Sequence, residues 1–358
     1  PPYPMIKMWD EMFSHQSSLV LKKLKQGDGS GAYEAMHKIL DDTWKEVYRV
    51  LKPGGFACIN IGDATRTING DFALYTNHAR ILNFTQKLGF FSLPCILWRK
   101  QTNAPNKFMG SGMLPAGAYV TLEHEYILIL RKGSKREFKK ETDKQNRRAS
   151  ALFWEERNLW FSDIWFDIKG TPQALNDKDT RKRSAAFPFE LVYRLINMYS
   201  AKGDLVLDPY LGMGTTTLAA MASGRNSIGY EIETALQDAN NKAQNAIIET
   251  SQLIIRQRLM NHLEFVSERM ESKGKLKHIN MPYGFPIMTA QEKELLIDEP
   301  LNIKFIQDNI SIIEYSSVAQ TEFCKDWIEI FQTKGKNVIV ENLKEQMTSQ
   351  NFKQKSLF

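Results

Sequence analysis

The sequence predicts an α/β protein whose mixed, mainly parallel sheet is flanked by helices, and three stretches carry that prediction. The first is the apolar run Leu205-Val206-Leu207, followed by Asp208-Pro209-Tyr210-Leu211-Gly212-Met213-Gly214-Thr215-Thr216-Thr217 and then by Leu218-Ala219-Ala220-Met221-Ala222. It reads as a buried strand, a tight glycine turn and the start of a helix. The second is Ser227-Ile228-Gly229-Tyr230-Glu231, a strand ending in a carboxylate twenty-three residues after Asp208. The third is Ala32 to Asp63, where helical apolar spacing stops at Leu51-Lys52-Pro53-Gly54-Gly55 and a strand with a polar tip follows. A glycine turn after one strand and an acid at the end of the next is a layout that grips a nucleoside through its ribose. Gly212 and Gly214 allow the backbone to pass close to a ligand. The turn lacks the third glycine of the dinucleotide fingerprint and is crowded with hydroxyls, so it does not read as an NAD site.

Composition sets the bounds. The 358 residues are 42% hydrophobic and 25% charged, ordinary values for a globular chain with a sizeable core and room for two or three domains. A net charge of +6 and a pI near 9.0 suit a polyanionic partner. Cys58, Cys95 and Cys324 show no spacing for a metal or a disulfide framework, which points to a reducing, cytoplasmic setting and no metal. No apolar run reaches membrane-spanning length, so no membrane partner is expected. Pro1-Pro2 is an implausible native start, and residues preceding Pro1 are expected to exist.

Taken in order, Met5 to Phe13 reads as a short helix or ordered loop, and Ser14 to Gly31, polar and containing glycine, as a flexible loop. Helices are expected over Ala32 to Val50 and Tyr75 to Leu88, with a strand from Phe56 to Asp63 between them. Asp63 and Arg66 are candidates to line a pocket, with a solvated turn as the equal alternative. Phe91 to Lys100 and Glu123 to Leu130 read as an antiparallel strand pair, joined by the long loop Gln101 to Leu122, whose length suggests a function. His124 reads as a packed strand residue rather than a base. Arg131 to Arg183 carries fifteen Lys and Arg against nine Asp and Glu, interleaved with Phe138, Phe153, Trp154, Trp160, Phe161, Trp165 and Phe166. Its cations suit phosphates, and its tryptophans read as a small aromatic core. Glu190 to Ser200 and Thr234 to about Ser272 are helical, and Leu301 to Asn309 reads as a strand ending at Asp308.

The Asp208 turn, taken together with Pro1-Pro2-Tyr3-Pro4 far upstream, resembles the DNA amino-methyltransferases that use S-adenosylmethionine. In that family a [Ser/Asp/Asn]-Pro-Pro-Tyr motif forms the catalytic pocket and Asp-Pro-Phe-x-Gly-x-Gly-Thr-Thr holds the methyl donor. Tyr210 stands where Phe is usual, and the order of the motifs matches the permuted beta group. The resemblance covers roughly the first 245 residues. It implies a Rossmann-like methyltransferase fold, in which the Lys-Pro-Gly-Gly turn is architecture. The implied parts are a catalytic half at 1–132, a target-recognition region at 133–180 and a donor half at 181–245. A mainly helical extension would follow at 246–358, with a last sheet strand near 301–309.

For the sites, the resemblance implies a catalytic loop of Pro1, Pro2 and Tyr3. It implies donor binding by Asp208, Pro209, Leu211, Gly212, Gly214, Thr215, Thr216 and Glu231, with Phe187 and Pro188 packing against the methionine end. DNA contacts are expected from Lys135, Arg136, Lys139, Lys140, Arg147 and Arg148. An exocyclic amine on a base is a poor nucleophile because its lone pair is delocalised. Backbone carbonyls of a proline-fixed loop can hydrogen-bond its protons, and Tyr3 offers a face for a base turned out of the duplex. The Tyr3-Pro4-Met5-Ile6 continuation looks like the Ser-Pro-Pro-Tyr members, so cytosine N4 is favoured over adenine N6, with Met5 or Trp9 as candidates to close a pyrimidine pocket. Two other readings stay open: methyl transfer to RNA or another amine, and a non-catalytic nucleic-acid-binding protein. The partner expected is double-stranded DNA, in a restriction-modification setting, bound by a monomer or a dimer.

Overall fold

The computed structural model describes residues 1–100, 109–169, 187–307 and 309–324. The chain divides into two compact units, Pro1–Glu137 with Ser162–Thr171, and Phe138–Phe161 with Pro172–Phe358.

The first unit opens with α1 (Asp10–Gln16), α2 (Ser18–Lys25) and α3 (Gly29–Val50). The flexible loop expected over Ser14 to Gly31 is therefore helical, a correction. Leu19, Val20, Leu21 and Leu24 repeat at helical spacing, and Val20 is fully buried, so packing overrides the polar composition around it. Asp28 caps α3 by accepting a hydrogen bond from the Gly31 amide at 2.8 Å. β1 (Phe56–Ile61) follows, then the hairpin of β2 (Ala64–Ile68) and β3 (Asp71–Tyr75), then α4 (Asn77–Leu88). Gly89 ends α4 in the left-handed region at φ 104°, where other residues would be strained.

β4 (Phe90–Arg99), the short pair β5 (Met109–Gly110) and β6 (Ala118–Tyr119), β7 (His124–Lys132) and β8 (Ile164–Trp165) complete this unit. The sheet runs β1-β7-β4-β8, antiparallel across β1/β7 and β7/β4 and parallel across β4/β8. β7 lies inside the sheet, and Ile127 to Leu130 are all buried, which explains its unbroken apolar run. The β4/β7 register slips between Leu93 and Ile96, where Pro94 has no amide to give the ladder. Arg66 lines a cavity with Leu24, Gln26, Gly27 and Asn69, whereas Asp63 turns to the protein. Asp63 caps α4 and binds the His78 ring at 2.8 Å, while Arg66 makes two 2.7 Å bonds to Asp10. His124 packs edge-on against Tyr126, ring centres 4.9 Å apart.

The second unit holds α5 (Glu141–Ala149), α6 (Trp154–Trp160), α7 (Phe189–Tyr199), β9 (Leu205–Asp208), α8 (Thr215–Ala222) and β10 (Asn226–Gly229). β9 and β10 pair in parallel with Asp208 opposite Gly229. α9 (Gln237–Asn245) and the long α10 (Ile247–Lys273) come next. Past α10 the described residues, up to Cys324, hold strands and short turns rather than long helices. The strands are the small pair β11 (His278–Ile279) and β12 (Pro286–Ile287) and the hairpin β13 (Pro300–Gln307) with β14 (Ile310–Tyr315). Among the described residues β13 pairs with β14 alone and not with β9 or β10, and Asp308 lies outside those residues. Phe153, Leu259, Leu263, Tyr283, Phe285, Leu295 and Phe323 form the core beneath this part.

The basic, aromatic stretch is not a body of its own. Residues up to Glu137 and from Ser162 to Thr171 belong to the first unit and Phe138–Phe161 to the second. Phe153, Trp160 and Trp165 are buried in those cores, whereas Trp154 and Phe166 stay exposed. Among the described residues no helix is long and apolar enough to cross a membrane.

Candidate active site

In the first unit the loop Pro1–Ile6 sits over the ends of the sheet strands. Pro2, Pro4 and Met5 are buried, and Pro1 and Tyr3 are partly covered. Residues of β7, β1 and α4 pin it, backed in turn by Lys100 and by His37 of α3. The Tyr3 hydroxyl donates to Glu125 Oε2 at 2.8 Å, from β7. Asn60 of β1 donates through one nitrogen to the Tyr3 hydroxyl at 2.8 Å and to Glu125 Oε2 at 2.7 Å. Lys100, just past β4, donates to Glu125 Oε1 at 2.9 Å. Asn77, the first residue of α4, donates to the carbonyls of Pro4 at 3.0 Å and Gly62 at 2.9 Å. Its own carbonyl oxygen faces His37 Nε2 of α3 at 3.0 Å.

This arrangement fixes the protonation of the loop's surroundings. Burial, and then the Glu125 carboxylate beside it, hold the Tyr3 phenol well above its ordinary range, so the hydroxyl remains a donor. Burial lowers His37 to about 4, leaving a neutral imidazole that donates from Nε2. A side chain at Gly62 would meet the Tyr3 ring at 3.1 Å, so glycine there makes room for the tyrosine. Met5 does not close a base pocket. It is 1% exposed, at φ 65°, with its amide on the Met36 sulfur, facing the core rather than solvent.

In the second unit the Asp208 turn is closed largely by its own backbone. Asp208 accepts from the Tyr210 amide at 2.9 Å and from the Thr216 hydroxyl, tying the end of β9 to the first turn of α8. Glu231 Oε2 accepts from the Gly212 amide at 2.7 Å, and Oε1 from the Glu233 amide at 2.8 Å. The Leu211 amide donates to the Tyr230 carbonyl at 2.9 Å. Gly212 and Gly214 have φ of 54° and 77°, and a Cβ on Gly212 would meet nothing within 4 Å. Open space therefore lies over the turn. Asn240 donates to the Gly212 carbonyl at 3.2 Å, while its own carbonyl oxygen is buried without a partner.

The structure thus gathers Asp208, Pro209, Leu211, Gly212, Gly214, Thr215, Thr216 and Glu231 at one turn. Pro188 caps α7, which packs along α8, and Phe187 precedes it half-buried. The cations expected on DNA are less uniform. Lys135, Arg136, Lys139 and Lys140 are exposed. Arg147 lies 4.8 Å over the Phe138 ring, and Arg148 binds Glu294 at 2.8 Å and Glu141 at 3.1 Å. Arg148 is therefore already matched by two carboxylates, against the expectation that it is given over to DNA. Lys132 and Arg131 of the same stretch stack on Tyr48 and Phe91.

Sequence reading missed Asn60, Lys100, Glu125, Asn77, His37 and Asn240. A carboxylate inside the apolar run of β7 and an amide inside β1 were the available signals, since such residues rarely enter buried strands without partners.

The profile of the N6/N4 methyltransferase family, described as DNA methylase, matches residues 1–242. The chain belongs to this family. It is similar to the Type II methyltransferase M.MthZI of Methanothermobacter thermautotrophicus, 50% identical over 310 residues that span 86% of each chain. M.MjaI of Methanocaldococcus jannaschii, also a Type II methyltransferase, is 50% identical over 252 residues, 66% of this chain and 80% of its own. Among solved structures, the putative DNA modification methylase TTHA0409 of Thermus thermophilus, complexed with S-adenosyl-L-methionine, aligns with a TM-score of 0.50. It is 34% identical over 59% of this chain and 77% of its own. As a DNA methylase the protein is an S-adenosylmethionine-dependent enzyme that methylates an exocyclic amine of DNA, cytosine N4 or adenine N6.

Proposed function

We propose that this DNA methylase transfers the methyl group to the N4 amine of a cytosine rotated out of duplex DNA, as the modification half of a restriction-modification pair. The observation that carries the acceptor side is the Tyr3 loop, whose ring is tethered by its hydroxyl to Glu125 and Asn60 rather than left to rotate. Pro1 and Pro2 set their own φ and present carbonyl acceptors. Those acceptors take the hydrogen bonds of the target amine and localise its lone pair, while the Tyr3 face stacks against the extruded base. The Tyr3-Pro4-Met5-Ile6 continuation favours cytosine. The Type II names of M.MthZI and M.MjaI support the restriction-modification setting.

The donor side fits its cofactor. A cradle with open space at Gly212 and a buried, unpartnered oxygen on Asn240 is what a nucleoside-bearing ligand would fill. Glu231 retains lone pairs for ribose hydroxyls, and Ile232, 83% exposed beside it, offers apolar area to a purine. When bound, the sulfonium supplies an activated methyl group on a good leaving group. Phe187 and Pro188 are assigned to the methionine end. Lys135, Arg136, Lys139, Lys140 and Arg147 are assigned to phosphates.

The test is nucleoside analysis. Duplex DNA methylated with isotope-labelled donor is digested and the labelled nucleoside identified. Label in N4-methylcytosine is expected; label in N6-methyladenine overturns the choice of base and leaves the rest standing.

A further inference from the structure

We propose that Glu125, Asn60 and Lys100 are positioning residues for the methyl-transfer step, a clamp that acts through the Tyr3 hydroxyl to hold its ring for the acceptor base. This rests on the assignment of Tyr3 to the base. The three groups come from β7, β1 and the end of β4, and they converge on one phenol. Tyr3 donates to Glu125 at 2.8 Å, Asn60 bridges both at 2.8 and 2.7 Å, and Lys100 binds the other carboxylate oxygen at 2.9 Å.

Stability alone is a poor reason for this arrangement. Glu125 is only 9% exposed. Burying a carboxylate costs more than its ion pair returns in many folds, and well-packed apolar residues usually serve as well. What the triangle supplies is geometry. The Asn60 amide spends both hydrogens on it, and the phenol both donates and accepts, so the Tyr3 ring has one orientation. The prolines before it fix the backbone, and the clamp fixes the side chain. Misplacing a group by about 1 Å can cost about a hundredfold in rate.

The experiment measures single-turnover transfer from labelled donor into a substrate duplex, at saturating DNA and donor, with donor affinity by calorimetry. Tyr3→Phe and Glu125→Ala are each expected to slow transfer by about tenfold to a hundredfold with donor affinity unchanged. The double variant is expected to be no slower than the worse single one, since both remove the same tether. Glu125→Gln keeps the shape and one acceptor, and is expected to recover part of the rate. It also serves if Glu125→Ala does not fold. Multiplying losses in the double variant, or a wild-type rate in Glu125→Ala or Tyr3→Phe, would overturn the clamp. A wild-type rate in Tyr3→Ala would instead overturn the assignment of Tyr3 to the base. A loss in Tyr3→Ala with none in Tyr3→Phe fails the clamp alone.

Discussion

The loop Pro1–Ile6 and the turn Asp208–Thr217, which we assign to the acceptor and donor sides of one reaction, are built in opposite ways. The donor turn closes on two acids near in sequence, Asp208 and Glu231, which accept mainly from its own amides. Gly212 bonds Glu231 nineteen positions away, and Asp208 bonds Tyr210 and Thr216 two and eight positions away. The acceptor loop has almost no local closure. Its partners lie 122 positions away at Glu125, 73 at Asn77 and 57 at Asn60. A site closed by short-range bonds keeps its shape with its segment. A site made of long-range side-chain bonds depends on the whole first unit.

The largest expected effect breaks the comparison at the acceptor loop. Tyr3→Ala removes both the stacking face and the tether, and base–aromatic stacking alone is worth about 1–3 kcal/mol. Methyl transfer should fall by about a hundredfold or more while donor affinity stays near wild type. Donor affinity falling in parallel with turnover would make Tyr3 a cofactor or folding residue instead.

At the donor turn the effect should appear in binding. Glu231→Ala removes an acceptor for ribose hydroxyls, worth about 1.5–3 kcal/mol for a charged partner. Donor affinity should drop by about one to two decades. Gly212→Val should do worse, because φ of 54° strains a branched residue and its side chain enters the open space above the turn. An unchanged calorimetric affinity in a folded Glu231→Ala protein would remove Glu231 from the site.

The same contrast explains what was legible in the sequence. The strand, glycine turn and helix at 205–222 could be read because each residue's reason lies within a few positions of it, although the strand expected to be buried leaves Leu205 and Leu207 exposed. The Glu231 carboxylate was readable by its spacing. Glu125 and Asn60 were not, since their partner is a tyrosine on another segment and no periodicity links them. The helix Ser18–Lys25 was hidden by its lysines, although Val20 is fully buried. Of the β13/β14 hairpin only β13 is legible, as the strand Leu301 to Asn309, because pairing partners cannot be told from a run of apolar residues.

A weaker effect concerns DNA rather than either half. Neutralising two or three of Lys135, Arg136, Lys139 and Lys140 should weaken binding to all duplexes alike. The log–log salt slope should flatten by about 0.9 for each phosphate that no longer meets a cation. Neutralising Arg148, already held by Glu141 and Glu294, should change the slope less. Equal slopes for the lysine variants and wild type would place this surface away from DNA.

The smallest effect vanishes at neutral pH and sharpens the comparison from the acceptor side. Asn77 holds the Pro4 carbonyl, and His37 orients Asn77 by donating from Nε2. The other ring nitrogen, Nδ1, is buried with no partner, so a second proton would arrive where nothing can accept its hydrogen bond. Burial accordingly lowers His37 from 6.5 to about 4. Between those values the unfolded chain binds the proton and the folded one does not, so stability rises with pH across that window. The contribution is complete above about pH 6.5 and is lost as pH falls toward 4, the loss reaching about 2 kcal/mol at pH 5. None of the side chains that close the donor turn (Asp208, Thr216, Glu231, Asn240) is a histidine. Urea unfolding of wild type and of His37→Gln, which keeps a donor for Asn77, should diverge between pH 7 and 5, the variant losing less stability. Parallel curves would mean that this histidine does not couple the acceptor loop's scaffold to pH.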